Sequence, residues 1–215
     1  MNIEYHVSVN GCDRAEGSRE NPFRTISRAA AIAETGDRVI VHEGVYREWV
    51  KPAHTGYSNI SRITYEAAEG EKVVIKGSER IQNWEQTEGT VWKAVVPNTL
   101  FGDYNPYQEI LGGDWFLYPC ADGPEGYCIH TGDVYLNGKS FFEAKSLEDV
   151  KNPVIRTEGY NPPWTKRTEP ILHPEDTVYQ WYAQVDDENT TIYANFQGAD
   201  PNRELVEINV RKCCF

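Results

Sequence analysis

The chain has 215 residues, of which 40% are hydrophobic and 12% aromatic, enough apolar surface for one large or two small packed domains and too much for a disordered polymer. Its formal net charge is -12. An acidic surface repels nucleic-acid phosphates and anionic lipid, so no nucleic acid and no membrane are expected as partners, and polyuronate is disfavoured. A neutral oligosaccharide meets no such penalty.

The N-terminus carries no basic segment followed by an apolar one, and no stretch approaches the ~20 apolar residues of a membrane span. The cysteines are Cys12, Cys120, Cys128, Cys213 and Cys214. Their number is odd, two are adjacent, and Cys120 and Cys128 lie too far apart for a zinc knuckle. Five reduced thiols in a cytoplasmic protein, with no metal and no cofactor, is the expectation.

In chain order, Tyr5–Val9 alternates as a strand, followed by turn-forming residues through Gly17 and Ser18. A short helix follows: Thr25 can cap it, Ile26, Ala29, Ala30 and Ala33 form one apolar stripe, and Gly36 can stop it. Arg38–His42, Tyr46–Val50, Ile63–Ala67 and Val73–Ile75 are short strands bounded by turn formers. No crossover helix separates them, which disfavours a doubly wound sheet and favours a solenoid.

The pattern changes near Trp84. Gly89–Val96 is a longer strand; Asp133–Leu136 and Lys139–Phe142 form a hairpin across Asn137-Gly138; Val178–Ala183 and Thr190–Ala194 form another across Asp186-Asp187-Glu188. This predicts an antiparallel β-sandwich interrupted by two long loops, 100–113 and 158–174. Leu205–Val210 alternates again and reads as a strand returning to the first pattern. The fold class is therefore all-β: the start of a right-handed parallel β-helix with one N-terminal capping helix, interrupted by an inserted antiparallel β-sandwich. The divisions fall at 1–82, 83–203 and 204–215. Solenoids need about three or more repeats and a cap at each end, so the chain is expected to continue past Phe215. The remainder of the β-helix, or a second copy, would then cover the open end.

Several segments carry a family resemblance. Asn21-Pro22-Phe23-Arg24-Thr25-Ile26, Gly36-Asp37-Arg38-Val39-Ile40-Val41 and Gly44-Val45-Tyr46-Arg47-Glu48 resemble the N-terminal cap of carbohydrate-active parallel β-helix proteins. Tyr46 to Pro52, Ala67 to Ile81, Gly112-Gly113-Asp114-Trp115 and Asn195 to Asn202 are similar to the β-xylosidases of glycoside hydrolase family 120. That resemblance implies a retaining hydrolase acting on β-xylosides, with an early β-sandwich insertion and with catalytic carboxylates on later coils, beyond residue 215. No catalytic residue is nominated. Glu43 and Glu48 read as turn and strand-edge charges, and Asp186-Asp187-Glu188 as a solvated hairpin tip.

The candidate substrate-binding residues are Asp114, Trp115 and Trp164. Asp114 and Trp115 follow two glycines in a long loop, and Trp164 follows Pro162-Pro163. Indole faces stack on pyranose rings and carboxylates accept hydrogen bonds from vicinal hydroxyls. Trp115 would equally suit the sandwich core, as Trp92 and Trp181 do. His6 and His42 fall within strands and read as packed or edge residues. A polysaccharide lyase and a non-catalytic carbohydrate-binding β-helix module are the alternatives. The lyase would need a basic catalytic residue and clustered carboxylates for Ca²⁺, and no Asp-rich calcium loop stands out.

Overall fold

The computed structural model describes residues 2–112, 128–159 and 167–215. Among the described residues strands dominate, accompanied by two five-residue α-helices. The chain folds as two compact units, Met1–Ser78 with Arg211–Phe215, and Glu79–Val210.

The first unit contains β1 (Glu4–Val7), α1 (Ile26–Ala30), β2 (Arg38–Val41), β3 (Gly44–Arg47), β4 (Thr64–Ala67) and β5 (Val73–Lys76). β1, β2 and β4 form one parallel ladder, with Tyr5 beside Val39 and Val39 beside Tyr65. β3 and β5 form a second parallel pair, with Tyr46 beside Ile75. The strand period of two sends Val7, Val39 and Val41 inward, where they pack with Phe23, Ile26, Ala29, Ala30, Ala33, Tyr46 and Val50. Thr25 caps α1 by accepting from the Arg28 amide, as its sequence signal indicates. The helix is shorter than the apolar stripe suggested. It ends at Ala30, and Ala33 reaches the core from the turn that follows. Asp37 shapes that turn by accepting from the Glu34 and Ile3 amides at 2.8 Å each. Gly17 has φ +80°, and a Cβ there would lie 2.2 Å from the Phe23 ring, so only glycine lets this phenylalanine seat against β1.

The second unit begins within β6 (Ser78–Arg80) and continues with β7 (Glu85–Glu88), β8 (Val91–Pro97), β9 (Val134–Leu136), β10 (Lys139–Ser140), β11 (Phe142–Glu143), α2 (Leu147–Lys151), β12 (Gln180–Val185), β13 (Asn189–Asn195) and β14 (Val206–Asn209). One sheet has the order β11-β12-β13-β8-β7 and the other β10-β9-β14-β6. Side chains of both sheets share one core: Ala94, Trp181, Ile192 and Ala194 from the first meet Val134, Val206 and Ile208 from the second. Trp84 packs edge-on to Phe196 at 5.1 Å, and Tyr107 edge-on to Trp181 at 5.3 Å, a geometry aromatic quadrupoles favour. The Asn137-Gly138 hairpin forms as its residues dictate, with φ of 53° and 84° at its centre.

Several expectations are corrected. A second helix, α2, sits inside the sheet-rich unit; Ser146 caps it by accepting from the Asp149 amide, while Glu148 and Asp149 occupy its first turn. The sandwich is not wholly antiparallel, because β11 runs parallel to β12. The strand at 206–209 does not rejoin the first ladder: it pairs antiparallel with β9, Val206 beside Leu136, and only Arg211–Phe215 group with the first unit. An alternating strand fits any sheet that offers a free edge, so its pattern could not select the partner. The expectation of five reduced thiols also fails, since Cys128 is disulfide-bonded while Cys12, Cys213 and Cys214 are free. Pairing depends on the distance and direction of the Cβ vectors, which cysteine counts and spacings do not contain.

Candidate functional site

The three residues nominated from sequence, Asp114, Trp115 and Trp164, lie outside the described residues. What is described is the base of each loop that carries them. On the first loop the Leu111 amide donates to the Ile129 carbonyl at 2.7 Å and the Thr131 amide to the Glu109 carbonyl at 2.9 Å, making a short antiparallel stem. His130 is fixed at this stem by Glu143 of β11, which accepts from its amide at 2.8 Å and bonds its Nδ1 at 2.6 Å. On the second loop the Gly159 amide donates to the Glu169 carbonyl and the Ile171 amide to the Thr157 carbonyl, at 2.8 and 3.0 Å. Each loop therefore leaves and re-enters the second unit through a paired stem. A stem fixes where a loop starts, which is the first requirement for presenting side chains to a ligand.

Beneath the first stem lies a buried polar cluster. Tyr107 donates to the Asp133 carbonyl at 2.6 Å, and Asp133 accepts from Ser140 and from the Val134 amide. Burial pushes the Asp133 carboxyl above the usual carboxylate range, against the lowering effect of those bonds, and pushes the Tyr107 phenol well above its usual value. Every one of these bonds is made within the protein, so the cluster braces the fold.

A cleft of about 630 Å³ lies on the outer face of the β1–β2–β4 ladder in the first unit. The parallel register builds it: Glu4 stands beside Arg38, and His6 stands in line with Ile40 and Glu66. Arg38 bridges Glu4 at 2.8 Å and Glu66 at 2.9 Å. His6 lies diagonal to His42; their rings stack 5.2 Å apart at 17°, with His6 Nδ1 3.0 Å from His42 Nε2. The outer ring nitrogens meet carboxylates, His6 Nε2 with Glu4 at 3.1 Å and His42 Nδ1 with Glu71 at 3.1 Å. The Glu43 amide and then His42 hold the Glu71 carboxyl below its ordinary range. All four ring nitrogens are thus engaged, so neither histidine offers a lone pair to a substrate.

His6 is buried, in keeping with its reading as a packed residue, and the cleft adds that it packs against His42. Glu4 and His6 share a strand face, which the sequence shows; that His42 meets His6 diagonally depends on the β1/β2 register, which it does not. Glu48 also has a definite role: its carboxylate accepts from the Ile26 and Ser27 amides at 2.9 and 2.7 Å, at the start of α1. Among the described residues one group could hold a metal ion, His173, Glu175 and Asp176, whose ligand atoms lie within 4.8 Å of one another. Lys139 already occupies Asp176 there, and His173 bonds Glu175 at 3.3 Å.

Comparison with known proteins places the chain. Residues 81–208, more than half of it, match the family model described as glycoside hydrolase 120, insertion domain. The chain belongs to glycoside hydrolase family 120, and its second unit corresponds to that family's insertion domain. Residues 9–53 match a model described as a protein of unknown function, DUF1565. A solved structure of XylC in complex with xylose is 57% identical and superposes with a TM-score of 0.91, covering 99% of this chain and 32% of its own. The uncharacterized protein YwoF of Bacillus subtilis (strain 168) is 42% identical over 72 residues, 34% of this chain and 15% of the relative. The chain thus spans about a third of the solved structure it matches. No described helix is long and apolar enough to cross a membrane.

Proposed function

We propose that the chain is the substrate-orienting scaffold of a retaining β-xylosidase acting on neutral xylo-oligosaccharides, with Asp114, Trp115 and Trp164 contacting the sugar. The observation that carries this reading is the likeness, at 57% identity over 99% of the chain, to XylC in complex with xylose. In the same reading the two parallel ladders β1–β2–β4 and β3–β5 begin a right-handed parallel β-helix, which extends by adding strands to each ladder in register. Both loop stems belong to the family's insertion domain and lead directly into the segments that carry the three residues. Retention requires two carboxyl groups ~5–5.5 Å apart, one attacking the anomeric carbon while the other protonates the leaving oxygen and later activates water. Among the described residues Glu48 is committed to α1 and Glu4, Glu66 and Glu71 to the Arg38 and histidine row. None of these four is offered as a catalytic carboxylate, and in this reading, as the family resemblance implies, the catalytic pair lies on later coils.

The test uses nitrophenyl β-xyloside. The 215-residue polypeptide should give no turnover. A longer chain that carries further coils should hydrolyse it with β-xylose as the first product by proton NMR. Trp115→Ala in that chain should raise KM at least tenfold. Turnover by the polypeptide alone, or α-xylose as first product, overturns the corresponding part of the assignment.

A further inference from the structure

The row Glu4–His6–His42–Glu71 contains a proton count that its geometry sets. Three short gaps separate the four side chains: carboxylate to nitrogen at 3.1 Å, nitrogen to nitrogen at 3.0 Å, and nitrogen to carboxylate at 3.1 Å. An ionised carboxylate only accepts, so each outer gap must be filled by an imidazole N–H. Glu4 is held as an acceptor by the Arg38 guanidinium at its other oxygen, and Glu71 by the Glu43 amide. The middle gap needs one N–H facing one lone pair. Two neutral imidazoles carry two N–H groups between them, whereas this row uses three. Four would set N–H against N–H across 3.0 Å.

We propose that His6 and His42 share a single proton between their rings, so that the pair carries one positive charge that fastens β1, β2 and the turn before β5 to one another. The surroundings suit a cation. The charged groups facing the pair are Glu4 on β1, Arg38 on β2, Glu66 on β4, Glu69 and Glu71 in the turn beyond it, and Arg19 from the segment after Gly17. Carboxylates outnumber guanidinium groups among them. His6 is 7% exposed while the His42 side chain keeps 24% exposure, so the His6 end of the pair is the one whose bonds count for more than at the surface.

The pair is a two-sided latch with respect to pH. In the unfolded chain the two histidines titrate independently near ~6.5 and together bind one extra proton on average at that pH, the number held by the folded pair. Below ~6.5 the unfolded state binds more protons than the latch can, so stability rises with pH. Above it the folded state binds more, so stability falls as pH rises, by up to about tenfold in the folded-to-unfolded ratio per pH unit for a difference of one proton. A histidine that merely gained a carboxylate partner would give only the alkaline limb.

The experiment compares thermal unfolding midpoints from pH 5 to 8.5 for the 215-residue chain and for the double variant His6→Gln/His42→Gln. The difference between the two curves should peak near pH ~6.5 and decline on both sides. Selective ¹⁵N labelling of histidine in the unaltered chain supplies a reading that needs no variant: at pH 6.5, three of the four ring nitrogens of His6 and His42 should be protonated. A difference curve that is flat or changes in one direction only overturns the latch. So does a count of two or of four protonated nitrogens.

Discussion

The two units bury their apolar surface in different ways. The second closes two sheets over a core of large aromatics, with Trp84, Phe101, Tyr107, Phe141, Trp181 and Phe196 in one cluster. The first relies mainly on valine and alanine between parallel ladders, and Tyr65, Val73 and Ile75 at its last strands stay only partly covered. A sandwich completes its core when two sheets meet, because each face supplies the lid of the other. A parallel ladder completes its core one strand at a time, so its outermost strand always has a half-buried inner face. Stability in the second unit thus resides in packing at its centre. In the first it depends more on polar bonds at turns and along the outer face, such as those of Asp37 and of the His6–His42 row.

The contrast can be broken most directly at Trp181, which is 2% exposed and meets Tyr107 edge-on. Trp181→Ala should cost about 3–5 kcal/mol through lost burial and the cavity left behind. Urea unfolding followed by near-ultraviolet circular dichroism would read it; a loss below about 1 kcal/mol would mean that the aromatic cluster does not carry this unit. In the first unit the corresponding weak point is polar. Asp37 is 4% exposed and joins two amides from different segments, so Asp37→Ala should cost about 1–3 kcal/mol although it removes almost no apolar surface. Hydrogen exchange should show the Ile3 and Glu34 amides losing protection first.

The smallest effect sharpens the comparison through pH. Burial raises the Asp133 carboxyl above its unfolded value of ~3.9, so the folded state binds the proton more tightly than the unfolded state. Stability contributed by this group is therefore fully present below ~3.9 and is lost as pH rises through the raised folded value. Asp133→Asn should remove that decline in the mildly acidic range while keeping an oxygen for Ser140 or the Val134 amide. Midpoints recorded from pH 3.5 to 6.5 would show it as a flatter curve for the variant, and parallel curves would refute the assignment.

The amino-acid sequence by itself determined the local pieces. Alternation marked β1, β4 and β14, Thr25 marked the start of α1, and Asn137-Gly138 marked its hairpin, because each depends on residues within a few positions of one another. Ser146-x-x-Asp149 was an equally local signal for α2 that the strand-rich surroundings concealed. The similarity to family 120 was legible in the same way, through short runs of residues. Only the tertiary structure decided which edge β14 joins, that Cys128 is bonded, that Glu48 serves the start of α1, and that His6 meets His42. In each case the deciding quantity is a distance between segments far apart in the chain. Such distances follow from strand register and loop closure, which no local pattern of residue types encodes.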